Sequence, residues 1–146
     1  MLKPKKIKFK KLQNKKTKKL FSYQFSKEIN FFIQRSVFLV SKESGFLTSK
    51  QLEIGKKLIQ KLLNKKGKTF IKVFPHTPIS RKPIGSRIGK GKGAVSFWVS
   101  KIYFGQQIYE IKDVFDSNSL LKVKTNLSKK FPIKLELKTN FKIKNN

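Results

Sequence analysis

The sequence predicts an α+β fold in which a mostly antiparallel sheet packs with two helices and carries a basic N-terminal arm and a long Gly-rich loop. Three observations support this class: one capped amphipathic segment, several short β-branched and aromatic segments bounded by turn residues, and two adjacent strand-like segments joined at a glycine. The 146 residues supply one modest core. We therefore predict an arm over residues 1–20, a single domain over 21–137 and a tail over 138–146.

The first part of the chain is a basic arm followed by a strand. Residues 1–19 contain ten lysines and no acidic residue. Repulsion between these charges should keep the arm loose until phosphate groups order it. The chain then becomes aromatic and aliphatic, and the alternation within Phe32–Val40 predicts one strand.

A helix is predicted over Ser49–Lys66. Thr48 and Gln51 have the spacing of a capping box, apolar residues recur on one face, and Gly67 occupies the place of a helix-ending residue with positive φ. Basic amphipathic helices also lie on anionic membranes. The capped ends and the neighbouring strand signals favour packing on a sheet instead.

The remaining elements follow from β-branched and turn residues. Thr69–Phe74 predicts a strand, and residues 75–94 predict a long irregular loop, because three prolines and four glycines fall within it. Val95–Phe104 and Gln107–Ile111 predict a hairpin that turns at Gly105. A second helix capped by Asp116 or Ser117 and a last strand over Pro132–Leu137 complete the pattern.

The segment Gly85–Gly93 places alternating glycines beside three cations, Arg87, Lys90 and Lys92. Glycine has no Cβ and permits φ > 0, so such a loop can bring backbone N–H groups and cations close to a phosphate. The loop therefore binds either RNA or a nucleotide.

The overall charge favours RNA. The formal net charge is +29, with 36 Lys and Arg against 7 Asp and Glu. Self-repulsion on this scale disfavours an isolated compact chain, and a polyanion would neutralise it. Nucleic acid is thus the expected partner.

Nucleotide-binding motifs fit poorly. A Walker A loop needs four residues between its glycines, whereas Gly85 and Gly89 are separated by three and Lys90 precedes Gly91. Gly89-x-Gly91-x-x-Ala94 matches the looser dinucleotide fingerprint, but that motif must open a helix and this one precedes a strand.

Catalytic and metal-binding groups are scarce. The chain has no cysteine, and its one histidine, His76, lies between prolines in a predicted turn. The acids form no ligand-spaced cluster beyond Asp113 and Asp116, and Trp98 is predicted to belong to the core. The apolar runs are too short for a transmembrane helix. We therefore predict no enzyme, no metal site and no cofactor.

Five stretches of the chain share the order and spacing of a known family. The central one combines Arg87-Ile-Gly-Lys-Gly-Lys-Gly93 with Trp98-Val99, Gly105 and Tyr109-Glu110. In these motifs the chain resembles the bacterial-type ribosomal protein L-sixteen family. The other stretches are Met1–Lys11, Leu47–Gln51, Gly67–Pro75 and Phe131–Lys134, and Pro78–Pro83 extends the central one.

The resemblance implies a structural protein of the large ribosomal subunit that binds rRNA near the central protuberance and the A-site tRNA, beside neighbouring ribosomal proteins and without homo-oligomers. It implies no enzyme, because RNA performs peptide-bond chemistry. The implied loop contacts are Arg81, Lys82, Arg87, Gly89, Lys90, Gly91, Lys92 and Gly93, and the implied arm contacts are Lys3, Lys5, Lys6, Lys8, Lys10 and Lys11.

Residue bias bears on the compartment. Lysine supplies 33 of the 36 basic residues, phenylalanine occurs 14 times and Ala94 is the only alanine, a bias typical of AT-rich genomes. Together with a start at the family's own first residue, this predicts an organelle-encoded protein, mitochondrial before plastid. The alternative function is a free-standing cationic protein that binds nucleic acid or membranes.

Overall fold

The computed structural model describes residues 2–7, 11–12, 36–64, 66–89, 91–113 and 116–139. These ranges form seven strands and two helices. In chain order they are β1 (Ser36–Ser41), β2 (Gly45–Thr48), α1 (Ser49–Leu62), β3 (Lys68–Ile71), β4 (Thr77–Arg81), β5 (Ala94–Ile102), β6 (Gln107–Lys112), α2 (Ser117–Ser128) and β7 (Leu135–Thr139).

The strands form two antiparallel sheets. A four-stranded sheet has the order β3-β6-β1-β7, and a three-stranded sheet has the order β2-β5-β4. The predicted α+β class with two helices is confirmed. The main core lies where the helices pack on the four-stranded sheet. The glycine-rich loop connects two strands of the three-stranded sheet.

The predicted hairpin of Val95–Phe104 with Gln107–Ile111 is wrong. Gly105 does lie in a tight turn, with φ +79°, and the Gln106 N–H donates to the Tyr103 carbonyl at 3.1 Å. However, β5 and β6 belong to different sheets. The physical reason is that β2 and β4 pair with both edges of β5, so β6 has no edge of β5 left to join.

The loop predicted over residues 75–94 is shorter than expected, because Thr77–Arg81 forms β4. Pro78 lies inside this strand, opposite Trp98 of β5. Proline lacks an N–H donor and is tolerated in strands at the edge of a sheet, which is where β4 lies. The irregular connection is therefore reduced to residues 82–93.

Helix α1 begins as predicted and ends earlier. The Gln51 N–H donates to Thr48 Oγ1 at 3.2 Å, and the Thr48 N–H donates to Gln51 Oε1 at 2.8 Å, which confirms the capping box. The helix ends at Leu62 rather than Lys66. Asn64, with φ +47°, takes the left-handed conformation just after the helix, because asparagine tolerates that region. Gly67 has the predicted positive φ, +76°, but lies five residues beyond the last helical residue.

The other boundaries differ modestly from prediction. The strand expected over Thr69–Phe74 is Lys68–Ile71, the last strand begins at Leu135, and β2 was not predicted. Asp116 caps α2 as predicted, accepting from the Asn118 N–H at 3.1 Å. The hydrogen bond from the Ser119 hydroxyl lowers the pKa of the Asp116 carboxyl.

Gly55 lets α1 approach the four-stranded sheet closely. A Cβ at this position would collide with the Tyr109 hydroxyl and would lie 2.8 Å from Phe131 Cζ. Tyr109 is fully buried on β6, and its hydroxyl donates to the Leu52 carbonyl of α1 at 2.9 Å. Burial also raises the pKa of the Tyr109 phenol well above its usual range, so it remains a donor.

We predict that Gly55→Ala destabilises the protein by about 2 kcal/mol. Overpacking a tight contact costs more than the roughly 1 kcal/mol that alanine gains over glycine in a helix. Urea unfolding followed by circular dichroism measures the change. In a double-mutant cycle, Tyr109→Phe should lower the free energy of unfolding less in the Gly55→Ala background than in the wild type, because the alanine Cβ collides with the Tyr109 hydroxyl. A Gly55→Ala protein at least as stable as the wild type would contradict this packing.

Glu110 is a nearly buried acid on β6 that lies among cations. Its Oε2 is 2.8 Å from Lys72 Nζ, its Oε1 is 3.6 Å from Lys112 Nζ, and the Ser36 hydroxyl donates to Oε1 at 3.5 Å. These groups come from β1, from β6 and from the residue after β3. The carboxylate therefore neutralises two lysines and joins three neighbouring segments.

We predict that Glu110→Gln lowers the free energy of unfolding by about 2 kcal/mol, because the amide removes the negative charge that pairs with Lys72 and Lys112. The loss should grow as ionic strength falls, since salt screens the repulsion between the lysines. The matched control is Glu136→Gln. The Glu136 side chain forms a more exposed ion pair with Lys42, 3.6 Å away. Its substitution should therefore lower the free energy of unfolding by less than about 1 kcal/mol. Equal losses in the two variants would refute the special role of Glu110.

Candidate nucleic-acid interface

The glycine-rich loop, residues 82–93, connects β4 to β5 at one end of the three-stranded sheet. All residues from 81 to 89, together with Gly91 and Lys92, are exposed. Residues 54–109, which include β4, the loop and β5, contain no acidic residue. The loop is therefore a cationic projection on which no carboxylate of its own segment competes for the basic side chains.

The glycines of the loop meet two different requirements. Gly85, Gly89 and Gly91 have φ of +78°, +99° and +74°, a region that other residues rarely adopt, and a Cβ at any of them would meet nothing within 4 Å. A Cβ at Gly93 would instead lie 2.5 Å from the Arg81 carbonyl oxygen. Three glycines thus set the path of the loop, and the fourth lets its two ends come together.

Hydrogen bonds brace the loop internally. Lys82 Nζ donates to the Gly89 carbonyl at 2.8 Å, which ties the first half of the loop to the second. The Ser86 N–H donates to the Pro83 carbonyl at 3.3 Å across a turn in which Gly85 is the third residue. Positive φ at that position is what a type II turn requires.

The structure brings the basic arm and the loop together. Lys11 Nζ donates to the Lys92 carbonyl at 2.7 Å, and Lys92 Nζ donates in return to the Leu12 carbonyl. Two like-charged side chains are thus held near each other because each ammonium group binds a backbone carbonyl of the other segment. Lys11 and Leu12 of the arm thus lie against Lys92 of the loop, so the two predicted basic segments meet at this point.

The beginning of the arm is attached to helix α1. The Leu2 N–H donates to Glu53 Oε1 of α1 at 2.7 Å, and Leu2 packs against the core. Lys3, Lys5 and Lys6 follow and are exposed. Among the described residues of the arm, Leu2 is therefore attached to α1, and Lys11 and Leu12 are attached to the loop.

The predicted site residues differ in their exposure and in their hydrogen-bond partners. Arg81 lies at the end of β4 and Arg87 within the loop, both exposed, whereas Lys82, Lys11 and Lys92 bind backbone carbonyls. Lys8, Lys10 and Lys90 were also predicted and lie outside the described residues.

Two loop residues were missed by the sequence reasoning: Ile84 and Ile88. Their exposed fractions are 106% and 104%, far above those of the other exposed large apolar residues. The available signal was the order Pro83-Ile84-Gly85, which places an apolar side chain at the corner of a turn.

Other candidate chemistry is weak in the described part of the chain. His76 is exposed, with Nδ1 3.1 Å from the Phe74 carbonyl oxygen, and Trp98 is half-buried opposite Pro78. Among the residues described, no three His, Asp or Glu side chains are grouped to hold a metal ion. None of the helices in these ranges is long and apolar enough to cross a membrane.

Comparison with known proteins assigns the family. The family model for ribosomal protein L16p/L10e matches residues 4–138. The large ribosomal subunit protein uL16 of Buchnera aphidicola subsp. Cinara cedri is 37% identical over 92% of this chain and 93% of its own length. The uL16 protein of Wigglesworthia glossinidia brevipalpis is 38% identical over 80% and 82%, and uL16c of Oltmannsiellopsis viridis is 45% identical over 52% and 57%.

The family match covers both helices and, apart from Thr139, all seven strands of the described structure, and the glycine-rich part of the signature that suggested it, residues 87–93, lies in the loop between β4 and β5. The chain belongs to the ribosomal protein L16p/L10e family, whose members are structural proteins and not enzymes.

Proposed function

We propose that this chain is a structural component of the large ribosomal subunit that binds rRNA near the central protuberance and the A-site tRNA, and thereby supports subunit assembly and tRNA positioning. Its partners would be large-subunit rRNA and neighbouring ribosomal proteins. The observation that carries this proposal is the reciprocal Lys11–Lys92 connection, which joins the arm and the loop into one cationic surface.

The charge distribution supports rRNA as the ligand. Exposed Arg81 and Arg87 offer planar guanidinium groups to phosphate or guanine, and the exposed arm lysines, Lys3, Lys5 and Lys6, add point charges. Lys82 and Lys92 have a different role, because their ammonium groups hold the shape of the surface. In this proposal the single domain 21–137 presents the arm 1–20 and the loop to RNA as one unit.

The compartment proposed is the mitochondrial ribosome, with the gene in the organelle. The relatives named above are bacterial proteins and a chloroplast uL16c, which supports a ribosome of bacterial type. The preference for lysine and phenylalanine over arginine and alanine supports an AT-rich genome. Sedimentation with ribosomes of purified mitochondria, as opposed to plastids, tests this point.

Sucrose-gradient sedimentation of an organelle lysate, at moderate and then at high salt, tests the function. We expect the chain to remain with the large subunit through the high-salt wash, because many phosphate contacts and a fitted loop act together. A free pool in light fractions without rRNA would overturn the proposal and favour the free-standing cationic protein, which would bind other nucleic acids or membranes.

We predict that Gly91→Val weakens incorporation into large subunits at least tenfold. Valine at this position has two costs, backbone strain and a clash with RNA, and a second variant separates them. Valine at φ +74° is strained wherever the loop lies, whereas asparagine tolerates this region. If RNA lies against the Gly91 backbone, as proposed, Gly91→Asn should also incorporate poorly, since Gly91 has open space in the isolated protein.

Competition between tagged variant and wild-type chains for assembled subunits measures this effect. Urea unfolding of each purified variant is the control for stability. Normal incorporation of Gly91→Asn would show that the glycine is needed only for its backbone conformation and would contradict close approach of RNA at this residue.

A further inference from the structure

Ile84 and Ile88 are an unusual feature of the loop surface. Both side chains are fully exposed, at 106% and 104%, whereas the next most exposed large apolar residue in the described ranges, Leu121, reaches 54%. Exposure of two isoleucines within five residues leaves their full apolar surface in water. Such surface commonly marks a contact with a partner.

The backbone holds these two side chains outward. Ile84 is the second residue of the turn closed by the Ser86 N–H and the Pro83 carbonyl, the corner position of that turn. Ile88 immediately precedes Gly89, whose carbonyl accepts the Lys82 ammonium. Both apolar side chains are therefore presented by a braced segment, so little ordering entropy opposes their burial against a partner.

The charge around them identifies the partner. Arg81, Lys82 and Arg87 lie within six residues of one or both isoleucines, and no acidic residue occurs anywhere in 54–109. A protein surface that covered the loop would have to be strongly acidic. RNA offers phosphates for the cations and, where its bases are unstacked, apolar base faces for the isoleucines.

We propose that Ile84 and Ile88 are paired apolar anchors that pack against unstacked bases in an irregular or single-stranded segment of large-subunit rRNA. A regular A-form helix would not serve, because its base faces are stacked inside the helix. The anchors deepen the proposed function and rest on it: the cations attract rRNA of any sequence, and the isoleucines select a site where bases are open.

Rebinding of the full-length chain to large-subunit particles assembled without it, at several salt concentrations, tests this proposal. Ile84→Ser and Ile88→Ser should each weaken rebinding about tenfold at every salt concentration, because loss of apolar burial does not change the number of neutralised phosphates. Arg87→Gln should instead reduce the slope of log K against log salt. The matched control is Leu121→Ser, on the exposed face of α2, which should rebind like the wild type.

Acylation of rRNA 2′-hydroxyl groups, which reports nucleotide mobility, identifies the contacted partner. Wild-type protein should immobilise unpaired nucleotides that remain reactive with Ile84→Ser. Weaker rebinding with an unchanged reactivity pattern would place the isoleucines on a ribosomal protein and overturn the proposal. Normal rebinding of the isoleucine variants together with impaired rebinding of Arg87→Gln would also overturn the proposal. That second outcome would leave the proposed function intact. Failure of the wild-type chain to rebind would refute the proposed function itself.

Discussion

The contact between Gly55 of α1 and Tyr109 of β6 constrains the rest of the structure. The helix lies against the sheet at a point where no Cβ would fit, and the buried phenol donates to the Leu52 carbonyl there. This bond requires a specific rotation of α1 as well as a close approach. Since β6 lies between β3 and β1, this bond joins the helix to an interior strand of the four-stranded sheet, and α1 also contacts the edge strand β3.

Fixing α1 also fixes the sheet that carries the loop. Thr48 is both the last residue of β2 and the N-cap of α1, so no flexible linker separates the strand from the helix. Thr48 pairs with Val99 of β5, which extends back to Ala94 at the base of the loop. The tight contact between α1 and β6 therefore also constrains, through Thr48, the orientation of the glycine-rich loop.

Sequence patterns predicted the elements whose signals are local. The capping box at Thr48, the Asp116 cap and the turn at Gly105 all rest on residues within four positions of each other, and the structure contains all three. Sheet membership was not predictable in this way. Whether β5 continues into a hairpin with β6 depends on β2 and β4 occupying both of its edges, which is a long-range competition.

The candidate site shows the same division. Glycine and cation spacing predicted where the loop lies, since those residue types have strong local preferences. It did not predict that Lys11 and Lys92 would be used to join the arm to the loop, because the two residues are 81 positions apart. Nor did it predict Ile84 and Ile88, since an isolated isoleucine in a sequence is normally interpreted as core.

The few acids are used to build the fold. Among the described residues, Glu110 joins segments of the four-stranded sheet, Glu53 accepts from the start of the arm, and Glu43 pairs with Lys134 at 3.1 Å. The hairpin that carries the loop has no acid at all. Its positive charge is therefore left for an external polyanion to neutralise. Binding of rRNA would then stabilise the loop most, because no acidic residue of its own segment compensates its charge.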